Sequence, residues 1–186
     1  MANKIVLMGL YGATGTGKTM LSKVYLKKMG FQVFSIEEEI WDFAKSFRGI
    51  SRESFDDKNK DVPIQKLGGL TPRMFLKDLN EVGRKYSEGK LCWIDSLWEK
   101  KIRNLPPETM VCIHDVNYKN EVDYIQSKSG YLVRIDRKGY DLKSREFDAV
   151  SPDKVLLGNN NTTPQDLEKF AYELSAWGKK LNGGKE

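Results

Sequence analysis

Residues 12–19 read Gly-Ala-Thr-Gly-Thr-Gly-Lys-Thr and satisfy the pattern G-x-x-x-x-G-K-[ST] at every fixed position. A polyphosphate needs many inward-pointing donors, and backbone N–H groups supply them only where side chains stay out of the way. Glycines at 12, 15 and 17 permit that wrap. The pattern carries this chemistry only between a strand and a helix, and both flanks fit. Residues 4–11 form a short apolar run and read as a buried strand rather than as a signal peptide, the other reading of Lys4 followed by Ile5–Leu10. Residues 17–29 read as a helix with Met20, Leu21, Val24 and Tyr25 on one face and Gly30 as its stop. That helix aims its N-terminal partial positive charge at the same anion. Gly12, Thr14, Gly15, Thr16, Gly17, Lys18, Thr19 and Met20 are the expected phosphate-binding residues. Lys18 suits the β- and γ-phosphates and is expected to face solvent before nucleotide arrives. Thr19 suits a Mg²⁺ ion. The competing reading is a glycine-rich turn with a chance Lys-Thr.

Downstream, apolar spacing alternates between strand and helix. Strands are expected at Phe31–Phe34, Met110–Ile113, Tyr131–Ile135 and Val155–Leu157. Ser35 with Glu38 resembles a capping box, ahead of Ile36, Ile40, Phe43, Ala44 and Phe47 at helical spacing. Residues 48–70 lose periodicity and read as an inserted or mobile segment. Thr71-Pro72 opens a helix with Phe75, Leu79, Val82 and Tyr86 on its apolar face. Further helices are expected at 91–103, with Leu91, Ile94, Trp98 and Ile102 inward, at Glu121–Lys128, and from Thr163-Pro164 with Leu167, Phe170, Ala171, Leu174, Trp177 and Leu181 inward. Residues 137–151 are charged and irregular. The expected fold is therefore α/β: a three-layer α/β/α P-loop domain over residues 1–186, with a central, mainly parallel sheet. Such sheets bind ligands beyond the carboxyl ends of their strands.

Asp115, just past the apolar run Met110–Ile113, is where a carboxylate reaches Mg²⁺ or its waters in this fold; otherwise it caps the next turn. His114, the single histidine, reads as a packed or hydrogen-bonded side chain rather than a catalyst. Arg73, Arg84, Arg134, Arg137 and Arg145 are guanidinium forks suited to phosphate, although composition alone does not separate them from solvated surface arginines. The net charge of +5 suits an anionic ligand, and the interspersed acids argue against nucleic acid. Cys92 and Cys112 have neither CxxC nor Cys/His spacing, which points to a reducing cytoplasm without disulfide or zinc. No run approaches the ~18 apolar residues of a membrane span.

Several blocks together resemble the phage-type deoxynucleoside monophosphate kinases. Leu70-Thr71-Pro72-Arg73 through Gly83-Arg84 is similar to their "LTPR…GR" helix, and Trp93-Ile94-Asp95-Ser96-Leu97 to the helix after it. His114-Asp115-Val116-Asn117-Tyr118-Lys119-Asn120-Glu121 resembles "SDVRFPNE", Leu132–Arg137 resembles "IRVER", and Gly158-Asn159-Asn160 resembles the terminal "I-x-N-x-G". With residues 12–19 these blocks span most of the chain in the family's order. The resemblance implies transfer of the γ-phosphate of ATP, with Mg²⁺, to a deoxynucleoside 5′-monophosphate in the cytoplasm (the host's, if the chain is phage-encoded). It implies catalytic roles for Lys18, Arg84, Arg134 and Asp115, with metal contacts from Thr19 and Asp115. Arg73, Arg84, Trp93, Asn120 and Glu121 would bind the acceptor, and Arg137 the nucleotide. Residues 36–70 would serve the acceptor and 137–151 would form a lid. A homodimer is compatible with this reading.

The chain departs from that pattern at Asn117, where the family has Arg, and at Lys119, where it has Pro. Lys119 offers a replacement charge, but a point charge is not a bidentate fork. Ser144-Arg145-Glu146 lies where a histidine-bearing lid motif is expected and lacks the histidine. Two other readings stay open: a P-loop kinase for another small molecule, and a nucleotide-dependent binding module.

Overall fold

The computed structural model describes residues 5–46, 51–55, 58–140, 147, 150–159 and 162–183. Arg145, Ser144, Glu146, Phe47 and Asn160 lie outside them, as does most of the expected lid at 137–151. The chain divides into two compact units, Met1–Ser35 with Lys101–Glu186, and Ile36–Lys100. The second begins where the acceptor segment 36–70 is expected to begin, but runs on through two more helices.

In the first unit β1 (Val6–Tyr11), β2 (Gln32–Phe34), β3 (Met110–Ile113), β4 (Tyr131–Arg137) and β5 (Lys154–Gly158) form one sheet in the order β2-β3-β1-β4-β5. Every pairing is parallel, with Met8 opposite Cys112 and Tyr131, and Phe34 opposite Ile113. Alternation along β1 divides the core. Val6, Met8 and Leu10 join Leu21 and Leu26 of α1 (Lys18–Met20 continuing as Leu21–Leu26) and Leu167, Ala171 and Leu174 of α6 (Pro164–Leu181) in one buried cluster. On the opposite face Gly9 meets Ile125 of α5 (Lys119–Ser127): a Cβ there would lie 2.6 Å from Ile125 Cδ1. Helices thus cover both faces, and the expected three-layer α/β/α fold is present in this unit. Cys112 is buried in it, its free thiol pushed well above the usual range by desolvation.

Helix α6 starts as its sequence dictates. The Thr163 hydroxyl accepts from Asp166 N, and the Asp166 carboxylate accepts from Thr163 N. Helix α1 departs from the expected face. Leu21, Ser22 and Leu26 are buried, whereas Met20 and Val24 are exposed. Residues 21–26 are π-wound, and i→i+5 winding aligns Leu21 with Leu26.

The second unit contains α2 (Ile36–Ala44), 3₁₀ turns at Arg52–Phe55 and Gln65–Leu67, α3 (Pro72–Lys85), a 3₁₀ turn at Glu88–Lys90, and α4 (Cys92–Leu97 continuing as Trp98–Ile102) as far as Lys100. Thr71 caps α3, its hydroxyl accepting from Met74 N at 3.2 Å. The expected apolar face of α3 is turned. Pro72 and Leu76 are buried, while Val82 and Tyr86 are exposed. Glycine sets that rotation: a Cβ at Gly83 would lie 2.6 Å from Trp93 Cζ2. Glu39 is buried in α2, accepting from Ser96 Oγ at 3.0 Å with Lys100 Nζ at 3.6 Å. No helix among the described residues is long and apolar enough to cross a membrane.

Candidate nucleotide-binding site

Because every strand of the sheet runs the same way, the segments following β1, β2, β3 and β4 leave from one edge. The glycine-rich loop follows β1, which lies between β3 and β4. Gly12, Gly15 and Gly17 hold φ of 143°, 85° and 98°, a region that a side chain would strain. A Cβ at Gly12 would collide with the Ile135 carbonyl oxygen, and one at Gly17 would press on Leu167 Cδ2 at 3.2 Å. The loop is thus fitted against β4 and α6. Thr16 is buried, with its hydroxyl donating to Ala13 O at 2.9 Å, while Thr14 and Thr19 are exposed. Met20 is exposed beside them.

Lys18 does not stand out into solvent as expected. Its ammonium is folded over the loop and donates to Gly12 O at 2.6 Å and Ala13 O at 2.8 Å. Two inward carbonyls give the charge a local partner before any phosphate is bound. Desolvation pulls the Lys18 ammonium below its usual range, and the Asp115 carboxylate opposes part of that shift.

Asp115 follows β3 and is half-buried. Its Oδ2 accepts from Ser35 Oγ at 2.7 Å. Ser35 was expected only to cap α2; no pattern in the sequence pairs it with a residue 80 positions away. His114 is buried, and its backbone N–H donates to Phe34 O at 3.2 Å.

Arg137, at the end of β4, reaches the loop: Nη1 donates to Gly15 O at 3.2 Å. Its guanidinium lies 4.9 Å from the Tyr140 ring centroid. That ring rests on Gly15, where a Cβ would come within 2.6 Å of Tyr140 Cε1. Tyr140 was not among the expected site residues; its only sequence signal is its place three residues after Arg137. Arg134, expected to act in catalysis, pairs with Asp136, Nε at 2.9 Å and Nη2 at 2.8 Å from Oδ2.

The Asp115–Glu121 segment is held by its own acid. Buried Glu121 accepts from Asn117 N at 2.8 Å and Tyr118 N at 3.1 Å through Oε2. This gives Glu121 a structural duty at the start of α5. Asn120 sits beside it in the first turn. The Lys119 ammonium is paired with Asp123 one turn along α5, an exposed ion pair.

The remaining expected acceptor residues lie in the second unit. Arg73 forms a two-pronged pair with Asp61, at 2.6 and 3.0 Å. The guanidinium holds the Asp61 carboxyl below its usual range. Both partners are exposed, so the pair is readily exchanged. Arg84 is half-buried in the last turn of α3, next to Gly83. Trp93, expected to touch substrate, is buried at 8% exposure with its ring against Gly83; Phe43, 5.9 Å from it, is the exposed ring of that pair.

No protein-family profile matches the chain. A protein of Acanthamoeba polyphaga mimivirus, provisionally described as a deoxynucleotide monophosphate kinase, is 28% identical over 91% of this chain and 94% of its own length. Among solved structures, shikimate kinase from Aquifex aeolicus is 13% identical with a TM-score of 0.42, covering 95% of this chain and 99% of its own. A gluconokinase from Sinorhizobium meliloti is 10% identical with a TM-score of 0.47, covering 95% of each chain.

Proposed function

We propose that the chain is a deoxynucleoside monophosphate kinase, transferring the γ-phosphate of ATP to a deoxynucleoside 5′-monophosphate. The observation that carries this reading is the glycine-lined loop of β1, with Lys18 at its centre, on the same sheet edge as the Asp115 carboxylate. The similarity to the mimivirus protein supports the nucleotide as acceptor.

In this reading the loop amides and the start of α1 hold the triphosphate. Lys18 exchanges its two loop carbonyls for β- and γ-phosphate oxygens. A phosphate oxygen of the acceptor attacks the γ-phosphorus while the bond to the β–γ bridging oxygen breaks, giving ADP and the deoxynucleoside diphosphate. Charge spread over the equatorial oxygens calls for positioned cations rather than acid–base groups, and Arg84 is the acceptor-side candidate. Arg137 braces the loop at Gly15.

A Mg²⁺ ion in such a site takes one or two protein oxygens, with phosphates and water completing its shell. Exposed Thr19 and half-buried Asp115 meet that requirement. Among the described residues no group of three or more acidic, His or Cys side chains offers a cage without phosphate. When bound there, the ion would neutralise β- and γ-phosphate charge.

The test is a coupled ADP-release assay with ATP and a panel of deoxynucleoside and nucleoside monophosphates, free nucleosides and sugars. Turnover with one or more deoxynucleoside monophosphates is expected. Turnover with a sugar or a free nucleoside and with no monophosphate would overturn the assignment, as would nucleotide binding with no acceptor-stimulated turnover.

A further inference from the structure

Ser35 follows β2 directly and is the last residue before the second unit, and only 4% of its surface is exposed. The parallel ladder fixes its position. Phe34 pairs with Ile113, and His114 N donates to Phe34 O. The chain then delivers Ser35 and Asp115 side by side from strands 80 residues apart. At 2.7 Å the Ser35 O–H···Asp115 Oδ2 contact has the usual length of a well-formed hydroxyl hydrogen bond.

A carboxylate's last torsion is broad and two-fold, so an unsupported Asp samples many orientations. A buried hydroxyl bonded to one oxygen removes that freedom and fixes the plane in which the other oxygen lies. Groups that orient a metal-binding carboxylate in this way commonly govern metal affinity although they never touch the ion. From this geometry we infer that Ser35 is a positioning residue for Asp115, setting the carboxylate that receives the Mg²⁺ of the bound nucleotide. The inference rests on the proposed nucleotide site, and it assigns a role to a residue that the sequence offers only as a helix cap.

The experiment is calorimetric binding of a non-hydrolysable ATP analogue to the full chain, with and without Mg²⁺ and with no acceptor present. Wild type is expected to bind more tightly with Mg²⁺. Ser35→Ala is expected to lose about tenfold of that Mg²⁺-dependent gain, within the 10–100-fold usual for such supporting groups, while keeping its Mg²⁺-free affinity. Ser35→Thr, which retains the hydroxyl, is expected to recover most of the gain. In an Asp115→Asn background Ser35→Ala is expected to cost little more, since the two act as one unit. A full Mg²⁺-dependent gain in Ser35→Ala, an equal loss with and without Mg²⁺, additive effects in the double variant, or no such gain in wild type would each overturn the inference. Because no acceptor enters the measurement, a chain that shows the Ser35 effect yet phosphorylates no monophosphate would sink the acceptor assignment and leave this one standing.

Discussion

Lys18 Nζ donates to the carbonyl oxygen of Gly12, six residues earlier, at 2.6 Å, and to that of Ala13 at 2.8 Å. The ammonium therefore closes the loop on itself. Removing it has opposing effects on stability: two hydrogen bonds from a charged donor, worth about 1.5–3 kcal/mol each, are lost, and the cost of desolvating that charge is relieved. Lys18→Ala is expected to change unfolding free energy by no more than about 1 kcal/mol while lowering phosphoryl transfer by at least about 100-fold. Urea titration and steady-state rates read the two separately. Transfer within a few-fold of wild type would remove Lys18 from the mechanism.

Arg84 separates charge from geometry. Arg84→Lys keeps the cation and loses the planar fork. Given about 1.5–3 kcal/mol for a hydrogen bond to a charged group, kcat is expected to fall about 10–100-fold, with ATP affinity nearly unchanged. Parallel losses in both quantities would place Arg84 away from the acceptor.

Gly83 sits under the Trp93 ring. In an open helix, Gly→Ala gains about 1 kcal/mol. Here the added methyl would enter space that Trp93 already fills, and overpacking costs about 1–3 kcal/mol. Gly83→Ala is therefore expected to lower the urea midpoint, and Gly83→Val to lower it further. A more stable Gly83→Ala would show that the ring yields freely.

Glu121 is expected to behave as a cap rather than a ligand. Glu121→Ala leaves two backbone N–H groups short of their acceptor and should cost about 2–3 kcal/mol. Glu121→Gln retains one acceptor oxygen and should cost less. Both should lower Tm with little change in the acceptor KM. A raised KM at unchanged Tm would return Glu121 to the substrate.

Asp166 gives the fold a pH dependence of known sign. Hydrogen bonds from the Thr163 backbone and side chain hold its carboxyl below the usual aspartate range. A carboxylate with a depressed folded pKa stabilises the fold above its unfolded pKa of about 3.9, and that contribution disappears as pH falls through the lower folded value. Asp166→Ala should melt below wild type at pH 7, and the two melting curves should converge as the solution is acidified below pH 4. A gap that persists unchanged would mean the carboxylate's charge plays no part in the cap.

Features encoded over a few adjacent residues are legible in the sequence. The loop at 12–19, the apolar strands and the Thr71 and Thr163 caps depend on local chemistry, and each lies where the sequence places it. What escaped depends on partners distant in sequence. The face of α3 is turned because a glycine, silent in any apolar pattern, sits under an indole ten residues later. The face of α1 follows a π winding that 3.6-residue spacing does not anticipate. Ser35 and Asp115 meet through a strand ladder, and Arg137 and Tyr140 reach Gly15 across more than a hundred residues. The unbound partners of Lys18 are not legible for a simpler reason: a motif names the partner a side chain has when bound, and says nothing of its partner when alone.

The Tyr140 ring and the Arg137 guanidinium resting on Gly15 carry a kinetic and calorimetric corollary. A cradle braced before its guest arrives has little freedom left to surrender. Capture of a triphosphate should therefore be driven by heat, with slight entropic cost from the cradle itself, and amide protons at 12–17 should exchange slowly even in the empty protein. Trimming the ring with Tyr140→Ala would make the same segment exchange faster and would transfer that ordering cost to the moment of binding.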